Sequence, residues 1–246
     1  MKDTPLFDSV AEFYDYSMRN NCDYEGWSHY VVNKINKFAN NPKQGIDIAC
    51  GSGYFTRALK RAGFSVTGMD ISPEMLTSAQ TITTKEKMFI PYILGDMTSF
   101  KSQGKVDFIT IINDGINCLP PEKLQKAFKC MANALKRGGV LHFDVSSEYK
   151  LKKVISNNTF CEDDDDYSYI WFNTPYEDKV VMEMSVFLKR GESYIKRESS
   201  LTEYIHTLDS LKLALENAGF TILEVNGDMG ELVESSNRLN ITAKRN

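Results

Sequence analysis

Apolar and polar residues alternate along the first 150 positions in a pattern that predicts strands separated by helices. Short apolar runs occupy residues 46–48, 64–69, 89–94, 106–112 and 140–145. Between several of these runs, apolar residues recur three or four positions apart, as they do on one face of a helix. The run at 106–112 is too continuous for a half-exposed strand and is typical of a parallel strand covered on both faces. The pattern predicts an α/β fold built on a mainly parallel sheet with helices on both faces.

The pattern changes after residue 148. Alternating segments around residues 169–173, 180–188 and 194–204 predict antiparallel strands, and Gly191 fits a hairpin turn between the last two. Because these strands interrupt the series of strands and helices, we expect a small antiparallel sheet at residues 149–204 that caps a pocket of the main domain.

The end of the chain returns to the first pattern. Helical spacing reappears at residues 210–218 and is followed by two short apolar strands at 220–225 and 238–243. We therefore expect one main domain, formed by residues 1–148 and 205–246, that is interrupted by the antiparallel insertion.

One strand-to-helix turn combines glycines with a distant acid. The first strand ends at Cys50-Gly51-Ser52-Gly53, a helix follows directly, and the second strand ends in Asp70. Glycines let a ligand approach the backbone closely. Strand, glycine turn, helix, strand and terminal acid, roughly 20 residues past the glycines, match the dinucleotide-binding arrangement. The two glycines alone also fit an ordinary strand-to-helix turn.

Composition excludes several classes of protein. The 246 residues are 42% hydrophobic and 25% charged, which suits one large α/β domain. No apolar run approaches the roughly 20 residues of a membrane helix, and the first residues lack the apolar core of a signal peptide, so we expect a cytoplasmic protein. A net charge of −4 argues against an extended nucleic-acid surface. Scattered cysteines and a run of four aspartates at 163–166 predict no metal site.

Two residues near the glycine turn indicate the kind of ligand. Thr56 stands where the dehydrogenase fingerprint has a third glycine, and Asp47 near the end of the first strand would repel a pyrophosphate but attract a cation. A cofactor with a sulfonium and an amino acid tail suits both residues better. The segment Asp47-Ile48-Ala49-Cys50-Gly51-Ser52-Gly53 resembles the glycine-rich motif I of class I S-adenosylmethionine-dependent methyltransferases. The resemblance extends through most of the first 150 residues and implies a Rossmann-like, seven-stranded sheet.

The resemblance implies a cofactor site. Asp47 would hold the amino group of the cofactor, Asp70 the ribose hydroxyls and Asp96 the adenine. The other expected contacts are Ala49, Cys50, Gly51, Gly53, Ile71, Met75, Gly95, Met97 and Asn113. Tyr14 belongs to a Phe-Tyr-Asp segment that resembles a lid over the cofactor, within residues 1 to about 40, and its ring suits a sulfonium. Ile71 and Met75 also fit as packed core, and Asp96 as a solvated turn.

The acceptor is expected at the carboxyl end of the fourth strand, where open α/β sheets bind ligands. Asp114 and Asn117 stand there and are the candidate catalytic residues, together with Tyr14; Asp114 is the one candidate base. The same residue types also occur in hydrogen-bonded loops. The residues expected to line the substrate pocket are Tyr16, Trp171, Asn173 and Arg197.

The implied activity is methyl transfer from S-adenosylmethionine to a nitrogen or oxygen of a small or medium polar acceptor, with S-adenosylhomocysteine as product. The chain looks most similar to bacterial enzymes related to those that methylate amino sugars. We expect a small-molecule acceptor rather than nucleic acid, no membrane association, and a monomer or homodimer.

Three alternatives stay open at this point. An RNA (tRNA) methyltransferase would need a basic surface near the pocket, and candidates are Lys150, Lys152, Lys153, Lys189, Arg190, Lys196 and Arg197. An NAD-dependent Rossmann oxidoreductase would share the glycine turn and Asp70. A non-catalytic protein could bind the same cofactor.

Overall fold

The computed structural model describes residues 23–228, 233 and 236–246 and arranges them in two sheets with flanking helices. The helices are α1 Tyr24–Phe38, α2 Tyr54–Arg61, α3 Pro73–Lys85, α4 Pro121–Ala134 and α5 Leu208–Asn217, with a 3-10 helix at Gly115–Cys118 and a π-helical turn at Lys150–Ile155. The strands are β1 Gln44–Ile48, β2 Ser65–Asp70, β3 Tyr92–Leu94, β4 Val106–Ile111, β5 Leu135–Ser146, β6 Thr159–Asp163, β7 Tyr167–Pro175, β8 Lys179–Arg190, β9 Ser193–Tyr204, β10 Phe220–Asn226 and β11 Arg238–Arg245.

The larger sheet has seven strands in the order β10-β11-β5-β4-β1-β2-β3. The five strands from β5 to β3 run parallel, and β11 lies antiparallel between β5 and β10. This confirms the predicted α/β fold with a mainly parallel sheet. The strand order reverses between β1 and β4, and ligands of open α/β sheets bind at the carboxyl ends of strands at such a switch point.

Both faces of the larger sheet are covered by helices. Alternate residues of each strand point to opposite faces of the sheet, so one strand contributes side chains to both apolar clusters. On one face, Ile109 and Ile111 of β4 pack with Phe128 of α4. On the other face, Phe108 packs with Ile35 of α1 and the other side chains of a second apolar cluster. All these side chains are buried, and each stabilises the fold by about 1.5–3 kcal/mol. The continuous apolar run predicted as a doubly covered strand is therefore β4.

Helix α3 begins where local chemistry predicts it. The Ser72 hydroxyl accepts a hydrogen bond from the Met75 backbone N–H at 3.1 Å, and Pro73 occupies the first helical position. Serine and proline favour these two positions because they satisfy or remove N–H groups that have no partner in the first turn.

The expected bounds of two elements were wrong. β3 begins at Tyr92 rather than at Phe89, because Pro91 has no backbone N–H to contribute to a strand. The strand predicted at 140–145 begins earlier, at Leu135, directly after helix α4 ends at Ala134. Leu135 pairs with Val106 of β4, and the register shift between β4 and β5 accommodates Gly138 and Gly139.

The second sheet contains four antiparallel strands in the order β6-β7-β8-β9, with Gly191 at a φ of 65° in the β8–β9 turn. β6 was not expected, because its acidic residues belong to a charge run typical of a loop. It is an edge strand, and charged side chains are usual there. Leu151 and Ile155 of the π-helical turn pack against Val180 and Met182 of β8 and so connect this sheet to the end of β5.

Within the described ranges, none of the helices is long and apolar enough to cross a membrane.

Strand packing at Gly45 generates a stability prediction. A Cβ on Gly45 would lie 2.2 Å from the ring of Phe108, which is completely buried in the pairing between β1 and β4. We expect Gly45→Ala to lower the free energy of unfolding by about 1–3 kcal/mol through overpacking. Gly104→Ala is the matched control, since a Cβ there meets no described atom within 4 Å, and should change it by less than about 0.5 kcal/mol. Urea unfolding measures both, and equal midpoints would contradict the prediction.

Candidate active site

The loop between β1 and α2 leaves part of its backbone open. Gly51 and Gly53 have φ angles of 54° and 77°, which glycine adopts most readily. A Cβ on Gly53 would lie 2.4 Å from the Tyr92 hydroxyl, whereas a Cβ on Gly51 would have no described atom within 4 Å. Gly53 is therefore required by packing, and the backbone beside Gly51 is accessible to a ligand.

Asp70 at the end of β2 holds this loop in place. Its carboxylate accepts hydrogen bonds from the Gly51 N–H at 2.8 Å and from the Ser72 N–H at 2.9 Å, and it is 7% exposed. One side chain thus fixes both the glycine loop and the start of α3. Cys50 and Ala49 complete the loop: the Cys50 N–H donates to the Met69 carbonyl, and Ala49 has a φ of 54°.

Asp47 is buried beneath the glycine loop and bound by two hydroxyls. Thr56 donates to one carboxylate oxygen at 2.6 Å, and Thr110 donates to the other at 2.7 Å. Burial raises the pKa of Asp47 to about 6, although both hydrogen bonds oppose the shift. Thr56, at the position of the missing third glycine, therefore connects α2 to the end of β1.

Arg57 supports the loop from its other side and was missed by the sequence analysis. Its guanidinium is 1% exposed and donates to the Ser52 carbonyl at 2.6 Å. Its Nε lies 3.4 Å from the Glu86 carboxylate at the end of α3. The sequence offered one indication of this role, because Arg57 is a charged residue in the first turn of the helix that follows the glycine turn directly.

The residues expected around the adenine surround the ends of β2 and β3. The Asp96 carboxylate accepts a hydrogen bond from the Thr98 N–H at 2.7 Å, and although burial opposes the shift, hydrogen bonds from Thr98 lower its pKa. Ile71 is 70% exposed beside Asp70, which leaves it available for contact, while Met75 is fully packed in the core. Gly95 and Met97 flank Asp96; the Gly95 N–H donates to the Asp70 carbonyl, and Met97 packs against the core.

A second loop, after β4, meets the glycine loop at the switch point. A Cβ on Gly115 would lie 3.0 Å from the Ala49 Cβ, so the two loops are in close contact. Asn113 and Asp114 have φ angles of 70° and 64°, and their N–H groups donate to the Asp144 carboxylate at 2.7 and 3.1 Å. Asp144 at the end of β5 therefore positions the loop that carries the candidate catalytic residues.

Asp114 lies among cations. Its carboxylate is 3.3 Å from the Lys150 ammonium and 3.4 Å from the Arg238 guanidinium. Despite burial, Arg238 and Lys150 lower the pKa of Asp114 to about 2. Arg238 also binds Asp144, whose pKa is raised by burial, and its guanidinium stacks over the Trp27 ring at 4.0 Å.

Asn117 joins three segments of backbone. Its side-chain NH₂ donates to the Ser146 carbonyl at 3.3 Å and to the Tyr204 carbonyl at 3.0 Å, and its carbonyl oxygen accepts from the Ser146 N–H at 2.9 Å. The side chain is completely buried. These bonds connect the end of β9 in the antiparallel sheet to the ends of β4 and β5.

Glu203 reaches the same region from β9 and was also missed. It is 7% exposed, and its Oε2 has no hydrogen-bond partner among the described residues. Burial, together with the Asp114 carboxylate, raises the pKa of Glu203 to about 7, against the effects of Lys150, Ser146 and Arg238. The signal in the sequence was an acid that shares a strand face with Leu201.

The residues expected to line the substrate pocket occupy different places. Trp171 and Asn173 lie on the face of β7 that packs toward the π-helical turn, where the Asn173 side-chain NH₂ donates to the Asn158 carbonyl at 2.9 Å. Arg197 is exposed and precedes Glu203 by six positions on β9, about 20 Å along a strand. Tyr14 and Tyr16 lie outside the described residues.

Comparison with protein families matches residues 46–139 to a model described as a methyltransferase domain. A Geobacillus protein named as a methyltransferase is 30% identical over 97% of this chain and 99% of its own length. YqeM of Bacillus subtilis, which is also named as a methyltransferase, is 30% identical over 94% of this chain and 93% of its own length. The chain belongs to the class I S-adenosylmethionine-dependent methyltransferases.

Solved structures agree with this family. A methyltransferase of this type from Clostridium acetobutylicum has a TM-score of 0.89 and 29% identity, with 96% of this chain and 97% of that chain covered. CalS10 of Micromonospora echinaspora, an amino pentose methyltransferase solved with its cofactor, has a TM-score of 0.78 and 17% identity, with 95% of this chain and 97% of that chain covered. At that identity the second likeness shows the fold alone.

Membership of this family excludes one of the alternatives that the sequence left open. The protein is an enzyme that uses S-adenosylmethionine. Its family excludes the NAD-dependent oxidoreductase, which the glycine turn and Asp70 alone had left open.

Within residues 23–228, 233 and 236–246, the His, Cys, Asp and Glu side chains do not form a group of three or more that could hold a metal ion.

The ion cluster at Arg238 generates a second stability prediction. Arg238→Met leaves a buried carboxylate without its counter-ion, which we expect to cost about 3–5 kcal/mol at pH 8. The pKa of the orphaned carboxyl then lies above its unfolded value, so the native state binds the extra proton and the deficit shrinks as the pH falls toward 5. Urea unfolding at both pH values measures this.

Arg61→Met is the control for this substitution. Arg61 forms a half-exposed ion pair with Glu86, so its loss should cost less than about 1 kcal/mol at either pH. An equal deficit for Arg238→Met at pH 8 and pH 5 would contradict the assignment of a buried, orphaned carboxylate.

Proposed function

We propose that this methyltransferase transfers the methyl group of S-adenosylmethionine to a nitrogen or oxygen of a small or medium polar acceptor. The acceptor would lie between the carboxyl ends of β4 and β5 and the antiparallel sheet. The observation that carries the proposal is the buried Asn117 side chain, which binds Tyr204 of the antiparallel sheet to Ser146 at the end of β5. This contact sets the sheet beside the strand ends, where ligands of such folds bind.

The residues around the glycine loop fit the cofactor. The accessible backbone at Gly51 allows close approach, and Asp70 beside it offers carboxylate oxygens for the ribose hydroxyls. Asp47 supplies negative charge for the amino group, and Asp96 would face the adenine. When bound, the cofactor supplies a methyl group on a sulfonium that is already a good leaving group. The chain therefore has to align the acceptor and exclude water.

Asp114 suits a role as an orienting group better than that of a base. A carboxylate held by Arg238 and Lys150 keeps its negative charge at neutral pH and accepts protons poorly. It retains the ability to accept a hydrogen bond from the acceptor. Asn117 acts by positioning, because both ends of its amide already bind backbone groups.

An RNA acceptor is the second candidate. The 18S rRNA (guanine-N7)-methyltransferase of Schizosaccharomyces pombe is 32% identical over 41% of this chain. However, three of the seven basic residues that would form an RNA surface bind acidic partners: Lys150 with Asp114, Lys152 with Glu148 and Lys196 with Glu198. Paired cations contribute little to phosphate binding, so the small acceptor is favoured.

The third alternative from the sequence, a non-catalytic protein that binds the cofactor, is not favoured, because the chain belongs to a family of enzymes. Formation of S-adenosylhomocysteine in the presence of an acceptor demonstrates the transfer directly.

Cofactor binding through Asp70 is directly testable. Asp70→Asn removes the charge that accepts hydrogen bonds from the ribose, and hydrogen bonds to charged groups contribute about 1.5–3 kcal/mol, so the Kd for S-adenosylmethionine should rise roughly 10–100-fold. Calorimetry measures the Kd, with circular dichroism confirming the fold. Asp209→Asn, at an exposed position on α5, should bind like the natural protein. An unchanged Kd in Asp70→Asn would contradict the assignment.

Asp47 predicts the pH dependence of cofactor binding. Its pKa of about 6 in the free protein means that a proton competes with the cofactor's ammonium at lower pH. The Kd for S-adenosylmethionine should therefore rise about tenfold per pH unit below pH 6 and stay level between about pH 7 and pH 7.5, where the amino group of the cofactor is still an ammonium. Adenosine lacks the amino group and serves as the control, with no such dependence. A level profile for S-adenosylmethionine would remove Asp47 from the ammonium site.

A further inference from the structure

The cluster beside Asp114 contains more acidic groups than basic ones. Within the part of the chain that the structure describes, the carboxyls of Asp114, Asp144 and Glu203 face two cations, Lys150 and Arg238. Both cations are already committed by contact: Lys150 lies at Asp114, and Arg238 lies between Asp114 and Asp144. Among these three carboxyls, Glu203 is therefore the one without an ion pair at contact distance to a described residue, although Lys150 and Arg238 act on it from farther away.

Other charged groups do not restore the balance. Asp228 adds further negative potential at Arg238: although burial opposes the shift, Asp114, Asp144 and Asp228 raise the pKa of its guanidinium. The charged and titratable groups that face Glu203 from neighbouring elements are Asp114 after β4, Cys118 of the 3-10 helix, Lys150 of the π-helical turn and Arg238 of β11. Among the described residues, the region thus lacks a positive charge.

The unpaired oxygen of Glu203 is a separate observation. Buried polar atoms in folded proteins nearly always have a hydrogen-bond partner, and a buried carboxylate without one is costly. Glu203 Oε2 has no such partner within the described part of the chain, although the residue is more than nine-tenths buried. A ligand that donates a hydrogen bond and carries a positive charge would satisfy the oxygen and supply the missing charge together.

We propose that Glu203 binds the amino group of an amine acceptor and takes one of its protons, so that the methyl acceptor is a primary or secondary amine that arrives as an ammonium ion. This rests on the proposed function and names the substrate class of the same site. Glu203 lies on β9 of the antiparallel sheet, whereas the glycine loop follows β1 of the larger sheet. In this proposal the antiparallel sheet therefore supplies the group that binds the acceptor.

The step balances without any further reagent. One N–H bond of the ammonium breaks, and its proton moves to Oε2 of Glu203. The nitrogen lone pair released in this way forms the new bond to the methyl carbon, the carbon–sulfur bond breaks, and its electron pair stays on sulfur. The products are the methylated ammonium ion, S-adenosylhomocysteine and a neutral Glu203 that returns its proton to water.

The first test reads Glu203 directly. The full chain, labelled with ¹³C at the glutamate side-chain carboxyls and saturated with S-adenosylhomocysteine, is titrated with pH by NMR. Glu203→Gln assigns the resonance, whose midpoint is expected near pH 7. Methylammonium chloride should lower that midpoint by about 1 unit, because a bound cation favours the charged carboxylate. Sodium chloride at the same ionic strength should not.

Glu198 provides the internal control. It lies on the same strand, is exposed and pairs with Lys196, so its resonance should not respond to methylammonium. A Glu203 midpoint that methylammonium leaves unchanged, or that sodium chloride moves equally, overturns the proposal.

The second test measures turnover with primary amines, each paired with the alcohol of the same skeleton, such as glucosamine with glucose. Amines should yield S-adenosylhomocysteine, and Glu203→Gln should lower kcat about 100-fold or more, as loss of a base does. Glu198→Gln should keep full turnover. Reaction with the alcohols alone, or full turnover of an amine by Glu203→Gln, overturns the proposal.

Calorimetry separates this proposal from the proposed function. Natural protein that fails to bind S-adenosylmethionine contradicts the function itself, whatever Glu203 does. Glu203→Gln should bind S-adenosylmethionine and S-adenosylhomocysteine with unchanged Kd. If it weakens only the first, Glu203 is the counter-ion of the sulfonium and the amine assignment is wrong. If no compound of the panel reacts, the NMR titration alone decides.

Discussion

Two strand-end carboxylates hold the loops on which the site depends. Asp70 at the end of β2 accepts two backbone N–H groups, one of them from the loop after β1. Asp144 at the end of β5 accepts two N–H groups from the loop after β4. In each case the loop that follows a strand at the switch point is held by a carboxylate of the next strand outward. Both loops are therefore held by hydrogen bonds within the chain.

This arrangement maintains a backbone that most residues avoid. Ala49, Asn113 and Asp114 all have positive φ angles, and such positions cost about 1–3 kcal/mol each where surrounding structure enforces them. Hydrogen bonds to a charged acceptor contribute about 1.5–3 kcal/mol, enough to offset that cost. These positive φ angles lie where the two loops meet, at the contact between Ala49 and Gly115. The close approach of the loops therefore determines the backbone conformation here, against the local preference of these residues.

The parts of this structure that could be predicted are those encoded by neighbouring residues. Apolar periodicity predicted the sheet and its doubly covered strand β4, and the short segment from Asp47 to Gly53 indicated the family. The wrong bounds of β3 and β5, and the unexpected β6, arose where a proline, a register shift and an edge strand override the local pattern. Lys150 was a candidate for the basic surface that an RNA acceptor would need, yet the fold turns it toward Asp114.

The proposed acceptor side was predicted only in part: the sequence indicated Asp114 and Asn117, but neither Glu203 nor Arg238. Its charged groups come from the loop after β4, from β5, from the π-helical turn, from β9 and from β11, so no stretch of sequence contains the pattern. The proposed cofactor side is concentrated between β1 and β3, within a single motif and its following strands. If the acceptor binds as proposed, a change in β9 alters the charge that meets it without touching the glycine loop. Such a separation would let one cofactor domain serve many acceptors, and the amine acceptor proposed here follows from the ion cluster around Glu203 rather than from the motif.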